Sequence, residues 1–347
     1  MWISILGFTN LSSLHLLQDV TGATRVFHPL PVGSSMKKSF LAAVGRGGVS
    51  LAGAILLGTS LGWAQGAMDQ SLSVAALGKS APVTPAWEHL DGAGLHLQSA
   101  AVMVADSAGN PIYSKHEDEP KSIASVTKLM TAIVVLDAGV DLEAAITIRP
   151  EDKDLLRNSS SRLQINRAHL TRRELLLVAL MSSDNRAAAA LGRTTYAGGT
   201  PEFVEHMNRK AKALGMSNTH FVDSSGLNAE NRSTARDLTK LVGAASGYPL
   251  IRAATTTRDA MLHPHPGGGA LGYRNTNPLV SNDAWEIELS KTGYITDAGR
   301  CLVMQAMVGG RRLRFVLLDS PGKHTPMGDS NRLRQWIEGT LAKQGAG

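Results

Sequence analysis

The chain has 347 residues, of which 43% are hydrophobic and 18% charged, enough apolar material for one large domain or two modest ones and too much for a disordered chain. Its formal charge of +6 comes without a run of basic residues, so no nucleic acid is expected as a partner. Cys301 is the single cysteine, which excludes an intramolecular disulfide and leaves stability to the packed core.

Met36-Lys37-Lys38 opens a positive stretch, and after Arg46 the segment from Gly47 to Trp63 is uncharged and rich in small apolar residues. This is the layout of a secretion signal over residues 36–64, with Gly62 and Ala64 fitting the small-x-small cleavage rule and a mature chain starting near Gln65. The alternative is an uncleaved anchor, since about 17 apolar residues are marginal for a membrane span. A signal's charged region ordinarily stands at the terminus, so residues 1–35 read as a non-native extension ahead of a start at Met36. Residues 1–64 carry Arg25, Lys37, Lys38 and Arg46 against Asp19, so removing this +3 from +6 leaves +3. That mild excess fits a solvated surface, or peripheral association with an anionic wall or membrane. Residues 65–94 mix Gly, Ala, Ser and Pro without period and read as a linker; residues 95–347 are then the catalytic domain.

From Ala100 to Ala105 the sequence reads as a strand, Asp106 to Asn110 as a turn and Pro111 to Lys115 as the returning strand. Ser125 to Ala138 follows helical spacing, with Gly139 where a left-handed cap belongs. Thr171-x-x-Glu174 is a capping box opening a helix to Met181. Thr200-Pro201 starts another that ends at Leu214-Gly215, and a further helix runs from about Ala235 to Ala245. The Pro- and Gly-rich stretch from His263 to Gly269 reads as a loop. Strand signals return at Glu286 to Ser290, Cys301 to Val308 and Leu313 to Leu318, and a last helix covers about Asn331 to Leu341. Strands at both ends with helices between them predict an α+β fold, one sheet built from distant segments with a helical subdomain inserted.

Three short strings stand out on this frame: Ser125-Val126-Thr127-Lys128, Ser183-Asp184-Asn185 and Lys291-Thr292-Gly293. Alone, Ser-x-x-Lys means little, as Ser34-x-x-Lys37 and Ser35-x-x-Lys38 in the leader demonstrate. The ordered triplet is that of penicillin-binding proteins and class A β-lactamases. Ile123 to Ala132 and Leu289 to Cys301 resemble the low-molecular-mass D-alanyl-D-alanine peptidases, the endopeptidase branch above all. The resemblance spans roughly residues 95 to 340 and implies a five-stranded antiparallel sheet with a helical lobe. It also implies a periplasmic enzyme acting on peptidoglycan stem peptides, with β-lactam antibiotics as covalent inhibitors.

Acyl transfer through a covalent intermediate needs a nucleophile, a base, an acid for the leaving amine and donors for the oxyanion. Ser125 and Lys128, three apart on a helix, share a face, so the amine can reach the hydroxyl. Burial near a second cation, Lys291, is expected to lower the affinity of Lys128 for its proton. Ser183 is expected to bridge the two lysines and pass a proton to the leaving amine, and Asn185 to bind the substrate's peptide group. Gly293 is expected to let an extended peptide approach the strand edge. The resemblance adds the N–H groups of Ser125 and Tyr294 as oxyanion donors, and Thr292 with Arg274 as partners of a carboxylate. His263 and His265, two apart beside prolines, read as loop residues; no metal or cofactor is expected. Cleavage of D-alanyl-diaminopimelate cross-links is the favoured activity, with a D-alanyl-D-alanine carboxypeptidase, a class A-like β-lactamase and a catalytically silent wall-binding protein as alternatives. Against the β-lactamase, the string nearest to its Glu-x-x-Leu-Asn motif is Ser225-Gly226-Leu227-Asn228 preceded by Ser224, with serine in place of glutamate.

Overall fold

The computed structural model describes residue 92 and residues 94–345. The leader, its cleavage site and nearly all of the 65–94 linker lie outside the described residues. Five strands, β1 (Ala101–Asp106), β2 (Pro111–Lys115), β3 (Glu286–Ile295), β4 (Gly299–Val308) and β5 (Arg311–Ser320), form one antiparallel sheet in the order β2-β1-β5-β4-β3. β1 pairs with β5, Val102 opposite Leu317, so the two ends of the described chain meet at the centre of the sheet. The central strands are almost continuously apolar because both faces are covered. Ala101, Met103 and Ala105 of β1 point into the larger core, shared with the helical lobe, whereas Val102 and Val104 point into the smaller one. β3 is an edge strand, with one row of backbone groups that no strand pairs.

Six helices lie between β2 and β3: α1 (Thr127–Asp137), α2 (Arg172–Met181), α3 (Asn185–Thr195), α4 (Gly199–Ala213), α5 (Ala235–Ser246) and α6 (Pro249–Thr256). Every residue of α1 from Thr127 to Val135 is buried, as a helix apolar on all sides must be. Its terminus falls where Gly139 takes φ +62. The capping box of α2 forms as expected: Thr171 Oγ1 accepts from Glu174 N at 3.2 Å and Glu174 accepts from Thr171 N at 2.8 Å.

The last helix departs from the sequence reading in its start, and one hairpin was not read. The last helix, α7 (Thr325–Gly345), starts well before Asn331; Pro326 sits in its first turn, where a missing N–H costs nothing. The expected loop around His263 to Gly269 is the connection of a hairpin pairing Asp259–Leu262 with Leu271–Arg274. Cys301 is a buried strand residue of β4, its thiol pushed up to about 12 by burial, the reverse of what a nucleophilic thiolate needs. Among the described residues, no helix is long and apolar enough to cross a membrane.

Candidate active site

Ser125 lies in a single 3-10 turn, Ala124–Val126, that runs into α1. Ser183 lies in the corner between α2 and α3. Each corner holds one non-glycine residue in the left-handed region, Ala124 at φ +46 and Ser183 at φ +63, a conformation costing on the order of 1–3 kcal/mol that survives only where the surroundings impose it.

Around Ala124 those surroundings include two glycines. A Cβ on Gly226, itself at φ +83, would lie 1.9 Å from the carbonyl oxygen of Ala124; one on Gly293 would lie 2.9 Å from Ile123 O and 3.1 Å from Ser125 N. The turn bearing Ser125 is therefore gripped between β3 and the 223–228 loop at backbone contact. The side where a Cβ of Gly293 would stand is occupied by the turn of Ser125.

Lys128 is 1% exposed. Its Nζ donates to Ser125 Oγ at 2.8 Å, Asn185 Oδ1 at 2.7 Å and Ser225 O at 2.6 Å. Burial lowers its pKa to about 7, against the opposing pull of Asp223 and Asp184. Burial acts as expected; the charge of Lys291, expected to act with it, is not among the causes. Lys291, equally buried, donates to Ser183 Oγ at 2.9 Å and Thr292 O at 2.8 Å. Burial, then the charge of Lys128, drives it well below the usual lysine range. Ser183 is thus bonded to Lys291, and it is Asn185 that reaches Lys128. The other end of Asn185, Nδ2, donates to Ser159 Oγ at 2.8 Å, so both ends of this amide serve the protein.

The structure brings Ser125, Lys128, Ser183, Asn185, Lys291, Thr292, Gly293 and Tyr294 to one place. All but the two buried lysines line a single cleft of about 580 Å³. Arg274 is exposed on the added hairpin and does not line the cleft, although its neighbours Asn275 and Thr276 do, Thr292 Oγ1 donating to Thr276 Oγ1 at 2.6 Å.

The 223–228 loop was missed as part of the site. The Asp223 carboxylate accepts from the backbone N–H groups of Ser225 (2.6 Å), Gly226 (2.5 Å) and Asn228 (2.8 Å), a tight turn that aims the Ser225 carbonyl at Lys128. Its signal was the string Asp-Ser-Ser-Gly, ordinary turn chemistry. Arg157 fastens the loop further, donating to Leu227 O at 2.7 Å and to Asp297 at 2.6 Å.

Two buried amines around a serine at the start of a central helix, on an antiparallel sheet with a helical lobe, define an acyl-transferring serine enzyme of the β-lactamase and D,D-peptidase fold. The chain belongs to the D-alanyl-D-alanine carboxypeptidase family, whose pattern matches residues 92–322. It is 45% identical over 243 residues to the D-alanyl-D-alanine endopeptidase of Escherichia coli (strain K12), covering 70% of this chain and 78% of that one. The corresponding figures for the D-alanyl-D-alanine endopeptidase of Pseudomonas aeruginosa are 44% over 254 residues, 71% and 80%. Among solved structures, the Streptomyces K15 DD-transpeptidase superposes with a TM-score of 0.65 at 29% identity, over 71% of this chain and 98% of that one.

Proposed function

We propose that this chain is a periplasmic serine D,D-endopeptidase that opens peptide cross-links of peptidoglycan through an acyl-enzyme on Ser125. One observation carries the chemistry: Asn185 Oδ1 and the Ser225 carbonyl are two fixed acceptors for Lys128. A neutral amine has two N–H groups and one lone pair. With both N–H groups taken, the lone pair points at Ser125.

At rest the one proton the two amines share is favoured on Lys128, whose charge depresses Lys291; the reactive form is the one in which that proton stands on Lys291 and Lys128 is neutral. Ser125 Oγ attacks the D-alanyl carbonyl and gives its proton to Lys128 Nζ, while the backbone N–H groups of Ser125 and Tyr294 meet the oxyanion. Expulsion of the amine breaks the peptide bond. The amine takes a proton from Ser183 Oγ, and Ser183 takes one from Lys291. The second half mirrors the first: water attacks the ester and passes a proton through Ser183 to Lys291, and Lys128 returns its proton to Ser125 Oγ.

The relatives at 44–45% identity are endopeptidases by name, which favours cross-links over free pentapeptide ends. The 223–228 loop reaches the nucleophile with a carbonyl and a glycine, its one carboxylate spent on the turn. That favours slow release of a penicilloyl ester over β-lactamase turnover. The test is the intact mass of the purified protein over time with benzylpenicillin, beside Ser125→Ala, followed by digestion of cross-linked muropeptide dimers. The expected result is a lasting single adduct on the wild type alone, and dimers cut faster than pentapeptides lose D-alanine. Penicillin consumed without adduct means a β-lactamase, and pentapeptides trimmed while dimers persist means a carboxypeptidase.

A further inference from the structure

A second cavity, of about 510 Å³, lies apart from the nucleophile and is lined by polar residues throughout. It sits where one end of the sheet meets the helical lobe. Gln305 of β4 follows Cys301 and Val303 on the face that packs into the larger core, and Arg314 of β5 is directly across from it. Arg312 shares that face two residues earlier, and Arg252 of α6 completes the wall. β3 contributes Glu288 through a bulge: Gln305 pairs with Leu289 and Ala306 with Ile287, so Glu288 is the extra residue. Strict alternation with the buried Leu289 would turn Glu288 to the other face. The bulge re-aims it toward Gln305 and Arg312.

The charges around this cavity do not balance. Glu288 accepts two bonds of 2.6 Å from Arg312 and so offsets one arginine. Arg252 and Arg314 form no ion pair among the described residues; they donate to the backbone carbonyls of Ser246 and Ser107. Burial drives the Arg314 guanidinium below the ordinary arginine range, against the pull of Asp106. The fold nonetheless makes room for it, since a Cβ on Gly243 of α5 would come within 2.6 Å of its central carbon. Two side-chain atoms of the wall are also unpartnered, Arg314 Nε and Gln305 Oε1. Gln305 is 3% exposed. Its orientation follows from chemistry: Glu288, held ionised by Arg312, can only accept, and it takes the amide N–H at 2.8 Å. The other end of Gln305 is thus a buried acceptor that lacks a donor, and Arg314 Nε a buried donor that lacks an acceptor. Unpaired buried atoms are costly, so small turns of these two side-chain ends toward a ligand are favoured.

We propose that this cavity binds a phosphate group that brings a hydroxyl with it, as hydrogen phosphate or a glycerol-phosphate headgroup does. The two uncompensated arginines match its negative charge, and their N–H forks match its oxygens. The hydroxyl supplies the donor that Gln305 Oε1 lacks. Sulfate has the shape and charge of hydrogen phosphate without the proton, so the site distinguishes the two.

The test is calorimetric titration of the purified protein with inorganic phosphate and with sulfate, at pH 8 and constant ionic strength, for the wild type, Arg252→Gln and Gln305→Leu. The wild type is expected to bind one phosphate, and sulfate roughly 5- to 150-fold more weakly, the range for an acceptor left facing an acceptor. Arg252→Gln should weaken phosphate roughly 10- to 150-fold, as loss of a charged hydrogen bond does. Gln305→Leu should bind the two anions alike. Acylation by benzylpenicillin should be unchanged in both variants, which shows that they are folded. No saturable phosphate binding by the wild type, sulfate bound as tightly as phosphate, or phosphate binding unchanged in Arg252→Gln would each overturn the assignment. Sedimentation with phosphatidylglycerol vesicles separates the sources: co-sedimentation that Arg252→Gln abolishes assigns the site to a lipid headgroup, and titration without co-sedimentation assigns it to soluble phosphate.

Discussion

At the scale of single residues, the site depends on where one lone pair points and how tightly one turn is held. Asp223 takes part in both, through its bonds to the loop and its charge near Lys128. That charge favours protonated Lys128, so removing it lowers the pKa of Lys128 further. In Asp223→Asn the acidic limb of the acylation profile, expected near pH 7 in the wild type, should therefore move to lower pH; a profile of acylation rate against pH checks this, and a shift toward alkali contradicts it. Gly226→Ala should be more damaging. Its Cβ would overlap the Ala124 carbonyl and its φ is positive, so the turn of the nucleophile must move, and displacements of this kind cost roughly 100-fold in rate. Stopped acylation assays on the folded variant measure it. That Ser125, the two lysines and Ser183-Asp184-Asn185 converge was legible in the sequence because spacing and order carried them. The Ser225 carbonyl was not: a backbone acceptor has no residue type to announce it, and only the fold brings a loop 97 positions away to Lys128.

Elements assemble this site because their ends are well specified. α2 and α3 meet at Ser183, and each has its own start signal, the Thr171 box and the Asp184 cap, whose Oδ1 accepts from Ala187 N at 3.0 Å. Thr171→Ala removes one cap at a distance from the chemistry. A loss of about 1 kcal/mol is expected, a fall of roughly 2–4 °C in Tm for a domain of this size, with the acylation rate unchanged; thermal denaturation and mass kinetics read the two separately. Sequence patterns with a physical marker came through: the apolar helix α1, the capped α2, the strands of β1 and β2. The start of α7 did not, because Pro326 and Gly328 look like breakers until one knows they lie in a first helical turn. The hairpin of 259–274 was hidden by Met261, Gly272 and a Gly-rich connection, which give no alternation to read.

For the whole molecule, burying two amines makes stability depend on pH. The folded state binds the Lys128 proton more weakly than the unfolded chain does, so between about pH 7 and the ordinary lysine range the unfolded state holds more protons and stability rises with pH. Above about pH 9 the raised Cys301 thiol acts the other way, because only the unfolded thiol then ionises. The window from 7 to 9 is therefore the one to measure, and there the buried Lys128 makes stability rise with pH at a slope approaching one proton. Urea unfolding of Lys128→Met should give a shallower slope across this window than the wild type; parallel lines would mean that Lys128 titrates normally. The glycine grip on the Ser125 turn bears on the evolution of drug resistance. A lineage under selection by a substrate-mimicking antibiotic can vary only what the fold does not need for itself, and the floor of this site, backbone against backbone at Gly226 and Gly293, offers no such freedom. Adaptive substitutions should accumulate instead around the rim, at exposed Tyr294, so that resistance arises through slower entry of the drug and not through a reshaped nucleophile.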